Sequence, residues 1–319
     1  MSDLHLEVCQ QYSTFTFPAV APFILLAGDI GRLIDYDTYH AFLEAQIARY
    51  KRVFLILGNH EFYGLNYASG LDMARCLVEK ASSPDKLVLL HRTQWDDPDS
   101  ELTILECKLW SHIPEESRKV VQYKVNHFRQ IGGWTAQDHS KAHKEDLAWL
   151  REQVAQLQRN TTKPKRRLLV ATHHSPIVEG STRPEYLENP WSAAFSTELL
   201  NPGRRKKMDG APGKDINQGL GEESKDETAL DGQEKKKPGM GENDNGKALE
   251  AGRNVQDDPN WKGVKARVFG HTHWSTRLSR NGIKLVANQR GYFYPGGRGR
   301  KHSKEKDGME FDDSLTITA

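Results

Sequence analysis

The sequence has no apolar run long enough to cross a membrane, no Cys-x-x-Cys pair and almost no net charge. The first absence excludes a membrane-spanning helix. The second removes a thiolate zinc site. The three cysteines, Cys9, Cys76 and Cys107, are odd in number and far apart, so no disulfide framework is expected and a reducing compartment fits best. The N-terminus is polar and carries no signal-peptide pattern, so the expected location is cytoplasmic. A formal charge of +2, from 45 basic and 43 acidic residues, argues against a protein dedicated to nucleic acid or to a membrane surface. Small anionic partners stay open. Residues 202–259 lack aromatic side chains and hold few aliphatic ones. Such a stretch cannot bury enough apolar surface to offset the entropy of ordering it. It is expected to be a disordered polar insertion, tolerable because loop-closure cost grows only logarithmically with length.

The rest of the 319 residues can build a sizeable core. The expected domain is discontinuous, 1–201 and 260–297, followed by a solvated tail, 298–319, with a basic stretch at 298–306. Residues 23–27 (FILLA) and 53–57 (VFLIL) are continuous apolar runs. Their lack of alternation suggests strands buried on both faces. A helical pattern over 36–51 lies between them, which makes a parallel strand–helix–strand unit. Further strands are expected at 86–91, 102–109, 167–171 and 264–269. A helix is expected over 142–159, with Leu147, Leu150, Val154 and Leu157 on one face. Asn281-Gly282 between two short apolar runs predicts a hairpin.

Polar residues follow the apolar runs at once: Gly28-Asp29, Gly58-Asn59-His60, Thr172-His173-His174 and Gly270-His271-Thr272-His273. Ligands of α/β sheets bind at the carboxyl ends of the strands, so these groups are expected to converge. Asp3 and His5 add a carboxylate and an imidazole from the N-terminus. Two Asp, one Asn and several His suit Mn, Fe, Zn or Ni better than Ca. They exceed what one catalytic ion needs, and two divalent metal ions resolve the excess.

In this order, SDLHLE, GDI, GNHE, THHSP and GHTH resemble the motif series of the calcineurin-like metallophosphoesterase superfamily. Asn288 to Tyr292 (NQRGY), Leu109-Trp110-Ser111 and His143 ahead of Asp146-Leu147 resemble less specific segments of the same group. The resemblance implies an α/β fold of the four-layer α/β/β/α sandwich type. It also implies metal-dependent hydrolysis of a phosphate monoester or diester in a small phosphorylated substrate. Asp3, His5 and His273 would bind one metal, Asp29 would bridge, and Asn59, His173 and His271 would bind the second. A hydroxide bridging the two ions would attack phosphorus. His60 would be no ligand but would neutralise phosphoryl charge or protonate the leaving oxygen as a general acid.

His139 and His143 read as helix-entry residues, with His143 kept as a substrate-side candidate. His174 reads as a residue that either supports the ligand His173 from behind or faces the substrate, Trp110, Trp134 and Trp149 read as core, and Arg290 as exposed. The family carries a buried strand before its Asp-x-His motif, whereas Met1 and Ser2 alone precede Asp3 here. The expected fold therefore lacks its first strand. Either the natural chain starts upstream, or its first metal is held loosely. Two rival functions follow: a degenerate member acting as a binding or scaffold protein, and a nuclease, which would want a basic groove.

Overall fold

Residues 1–159, 165–200, 259–294 and 309–318 are described by the structure, a computed structural model. The insertion expected at 202–259 and the basic stretch at 298–306 lie outside the described residues, apart from Pro259.

Three parallel strands, β1 (Phe23–Ala27), β2 (Arg52–Ile56) and β3 (Leu87–Leu90), form one sheet in the order β1-β2-β3. A second, mixed sheet holds β4 (Thr93–Asp96), β5 (Leu102–Glu106), β6 (Arg167–Ala171), β7 (Val264–Phe269), β8 (Thr276–Arg280) and β9 (Ile283–Ala287). Its order is β4-β5-β6-β7-β9-β8. Strands β8 and β9 pair antiparallel around Asn281 and Gly282, both at positive φ. Those are the dihedrals a two-residue hairpin turn requires.

The period-two geometry of a strand explains why the runs are continuously apolar. On β1 and β2, Ile24, Leu26, Val53 and Leu55 face helix α1 (Tyr36–Ile47), meeting Phe42 and Leu43, and helix α2 (Tyr67–Glu79), meeting Ala74 and Leu77. Their alternates Ala27, Phe54 and Ile56 meet Ile104, Leu169, Ala171 and Val268 of the second sheet. On β6, Leu168 and Val170 face Leu150 and Val154 of helix α5 (Ala136–Arg159). Helix, sheet, sheet and helix are thus stacked over three apolar interfaces, in agreement with the expected sandwich. Each fully buried aliphatic side chain contributes about 1.5–3 kcal/mol.

Helix α5 begins six residues before the predicted start. Its first three turns bury His139, Ser140, His143 and Asp146, with Ala136 as the one buried apolar side chain there. Thr135 and Asp138 bond reciprocally through side chain and backbone at its entry, a capping box that the sequence does carry. Helices α2, α3 (Arg118–Lys124) and α4 (His127–Gln130) and strand β4 were not anticipated. Arg52, directly after the expected helix, opens β2.

The N-terminal residues join the two sheets. The Met1 amino group donates to Leu25 O at 2.9 Å, and Met1 O accepts from Ala27 N. Ser2 bridges in parallel to Gln289 on the other side. Behind Met1 and Ser2 lies a cleft of about 400 Å³, whose lining includes Phe23, Leu25, Val268 and Leu315. Among the described residues no helix is long and apolar enough to cross a membrane. All three cysteines are free.

Candidate metal centre

The carboxyl ends of β1, β2, β6 and β7 turn into the motif residues, and residues 3–6 run beside the first of these turns. Asp3 N donates to Gly28 O, His5 N to Asp29 O and Leu6 N to Ile30 O. Asp3, His5, Asp29, His271 and His273 all have positive φ. Non-glycine residues rarely adopt that conformation, which costs of order 1–3 kcal/mol each and concentrates at functional sites. Eleven described non-glycine residues share it, and five of them are predicted ligands.

All eight predicted site residues come together. Asp3, His5 and His273 offer ligand atoms within 4.8 Å of one another, as do Asp29, His173 and His271. A third such group, His5, Asp29 and His60, links the two. Asn59 Oδ1 lies 3.2 Å from His173 Nε2. Asp3, His5, Asp29, Asn59, His60, His173 and His271 are buried, and His273 is partly exposed.

The donor set fits cations. His173 Nδ1 donates to Ala27 O at 3.0 Å, so its Nε2 faces two oxygens, Asp29 Oδ1 at 3.4 Å and Asn59 Oδ1 at 3.2 Å. A lone pair among acceptors is repulsive unless a cation or a proton lies between them. The nitrogens His5 Nε2 and His273 Nε2 likewise face each other at 2.8 Å. The buried His271 Nε2 has no hydrogen-bond partner among the described residues. Fixing Nδ1 on a carbonyl is how a metal-binding imidazole is oriented.

The electrostatics follow this crowding. Burial would lower the His173 pKa, yet the Asp29 charge overrides it and pushes it up to about 9. Burial would raise Asp29, but His173 and His60 hold its carboxyl well below the usual range. Asp3 moves upward, because burial and the neighbouring Asp29 outweigh His173. Burial keeps His271 and His273 well below the usual histidine range, hence neutral and able to ligate.

Space is equally tight. A Cβ on Gly28 would enter the His173 ring, and one on Gly58 would overlap Asp29 Oδ1. Gly28 also has φ +87°. Gly58 does not occupy the left-handed region, so room alone requires glycine there.

Several supporting residues had been given no role, although all but Lys108 stand in the motif strings. Glu7 Oε1 lies 2.8 Å from His60 Nδ1 and 3.4 Å from His5 Nδ1. Burial raises Glu7, but the bonds from His5 and His60 prevail and bring it down to about 2. Glu61 accepts from the backbone of Asp29 (3.0 Å), Ile30 (2.8 Å) and Gly58 (2.7 Å), tying the first two turns together. Gln289 Oε1 accepts from His273 N at 2.6 Å. Lys108 Nζ donates to Gly58 O at 2.6 Å, between the rings of Phe62 and Trp110. Tyr292 Oη lies 3.1 Å from His60 Nε2.

His139 accepts from Ser111 N, and His143 Nδ1 lies 2.8 Å from Leu109 O, both deep in the protein. The buried His174 ring sits 4.0 Å from that of His271. Arg290, expected at the surface, instead braces the N-terminal segment by donating to Leu4 O and Gln11 Oε1. Its guanidinium lies over Phe15 and Phe293.

The comparisons agree with this picture. Uncharacterized protein L509 of Acanthamoeba polyphaga mimivirus is 23% identical over 312 residues, covering 92% of this chain and 90% of that protein. The crystal structure of phosphopantetheinyl hydrolase from Mycobacterium tuberculosis shares the fold with a TM-score of 0.50 at 14% identity. That match covers 92% of this chain and 88% of the other. Residues 1–194 match the calcineurin-like phosphoesterases, and the sheet brings His271 and His273 to the same centre from beyond that range. The chain belongs to the calcineurin-like phosphoesterase family, whose members are metal-dependent hydrolases.

Proposed function

We propose that this protein hydrolyses phosphate monoesters or diesters of small molecules at a centre of two divalent ions drawn from Mn, Fe, Zn or Ni. The observation that carries this reading is the overlap of three donor groups through His5 and Asp29. Asp3, His5 and His273 would hold one ion, Asn59, His173 and His271 would hold the other, and Asp29 would serve both. Bound there, the ions supply Lewis-acid stabilisation of phosphoryl charge and a nucleophile from water near neutral pH.

The chain's own residues do the rest. Neutral imidazoles and one amide limit the negative charge that meets an incoming phosphate. Glu7 fixes His60 through Nδ1 at 2.8 Å and leaves Nε2 to face the substrate. Burial lowers the His60 pKa, but Asp29 and Glu7 raise it overall. With cations on Asp29 the Glu7 contact is the influence that still favours the protonated ring, a donor to a phosphoryl or leaving oxygen. The free cysteines agree with a cytoplasmic location.

The test is hydrolysis of p-nitrophenyl phosphate and bis(p-nitrophenyl) phosphate with added Mn²⁺, together with metal analysis. The expected result is metal-dependent turnover with two ions per chain, lost in His60→Ala. Metal binding without turnover on any phosphoester would favour the scaffold reading. Salt-sensitive binding and cleavage of DNA or RNA would favour a nuclease.

A further inference from the structure

Tyr292 occupies the place where a substrate oxygen would meet His60. Its hydroxyl is 3.1 Å from His60 Nε2, the ring nitrogen not engaged by Glu7. Its ring lies 4.3 Å from that of His5 and 4.9 Å from that of His273. The backbone around it is clamped, since Gly291 N donates to Asp3 O at 2.9 Å and Gln11 Nε2 donates to Phe293 O at 3.0 Å. The position is therefore built into the centre and is not that of a loosely held loop. Tyr292 is 45% exposed whereas His60 is 7% exposed. Of this hydrogen-bonded pair, the tyrosine is the outer member.

We propose that Tyr292 is a further catalytic residue, whose phenolic hydroxyl donates a hydrogen bond to the ester oxygen that leaves phosphorus. The proposal rests on the phosphoesterase reading above. The phosphoryl group is drawn inward, to the buried ligands. The ester oxygen and the group it carries must point outward, toward the exposed phenol. Any oxygen bonded to His60 Nε2 also comes within reach of a hydroxyl 3.1 Å from that nitrogen. As water oxygen bonds to phosphorus, the bond to the ester oxygen breaks and its electron pair stays on that oxygen. The leaving alcohol takes up one proton and the attacking water gives one up. Tyr292 makes and breaks no covalent bond; it stabilises the charge that grows on the departing oxygen.

The experiment compares the Mn²⁺-loaded protein with Tyr292→Phe on aryl phosphates running from p-nitrophenyl to phenyl, and on an alkyl phosphate. Calorimetry measures binding of orthovanadate, which presents an oxygen at the leaving position without turnover. A hydrogen bond to a charged oxygen is worth about tenfold or more. The expected loss in kcat for Tyr292→Phe is of that size, steeper as the leaving group worsens, with weaker vanadate binding and an unchanged melting temperature. Equal losses across all leaving groups, or unchanged rates and vanadate affinity, would overturn the role of Tyr292 while leaving the phosphoesterase reading intact. A parent protein that neither turns over nor binds vanadate would sink that reading, and this proposal with it.

Discussion

Glu7 and His60 are joined by a 2.8 Å contact between Oε1 and Nδ1, and the same carboxylate oxygen lies 3.4 Å from Nδ1 of His5. One side chain therefore orients both a candidate ligand and the candidate acid. Its folded pKa of about 2 is below the ordinary glutamate value of 4.5. The stabilisation is thus fully present above about pH 4.5 and is lost as pH falls toward 2. Glu7→Gln should cost about 1–3 kcal/mol at neutral pH. In urea unfolding, the gap between the two proteins should narrow as pH drops through that window. A gap that stays constant with pH would mean the charge is not what matters.

Asp29 belongs to two of the three donor groups. Ions that bind only the folded chain raise its stability by mass action, by about 2.7 kcal/mol at a hundred times Kd. Mn²⁺ should therefore raise the melting temperature of the parent and chelation should reverse it. Asp29→Asn should show neither response, with bound metal reduced in elemental analysis. A full metal complement in Asp29→Asn would remove its bridging role.

Glu61 is fully buried and accepts three backbone N–H groups and the Tyr39 hydroxyl, the last at 3.1 Å. Glu61→Gln places an amide N–H₂ among donors. An unmade buried hydrogen bond costs about 1–3 kcal/mol, so denaturant unfolding should reveal a loss in or above that range. Metal affinity should fall as well, because the turns carrying Asp29 and Asn59 lose their common tie.

Gly58 and Gly282 make a matched pair. A Cβ at Gly58 meets Asp29, whereas one at Gly282 meets none of the described residues within 4 Å, although Gly282 has φ +74°. Gly282→Ala should cost about 1 kcal/mol through backbone conformation and leave metal binding alone. Gly58→Ala should weaken metal binding out of proportion to its effect on stability. Calorimetric titration with Mn²⁺ separates the two, and equal effects would contradict the crowding argument.

The Met1 amino group is buried against Leu25 O, and burial lowers its pKa to about 6 although Asp3 opposes the shift. The unfolded amine ordinarily titrates near 8, so the unfolded state holds more protons between these values. Stability should climb by about 2–3 kcal/mol as pH rises from 6 to 8. Adding a few β-branched apolar residues ahead of Met1 replaces the ammonium with an amide and places side chains in the cleft beside β1. That variant should lose the pH dependence and gain stability at pH 6. Identical unfolding midpoints for both proteins would refute this account.

Much of the framework was legible in the order of residues. The unbroken runs on β1 and β2 meant burial on both faces, and the two sheets with flanking helices are why. Strands β6 and β7 begin and end where predicted. Helix α5 was caught only from residue 142 on, where Leu147 to Leu157 gave a stripe, since its first turns bury histidines and a carboxylate in place of an apolar face. Arg290 looked exposed because sequence does not disclose that Leu4 O and Gln11 will need a donor.

Sequence alone determined which residues could ligate metal, because carboxylates, amides and imidazoles placed just after buried strands are local features of the chain. Only the tertiary structure decided how they work together: Glu7 on His60, Glu61 across two turns, Tyr292 over the imidazoles. These pairings join segments from opposite ends of the chain, as His5 and Tyr292 do. They depend on which strand edges meet and where the backbone turns left-handed, and those relations arise only once the sheets have packed.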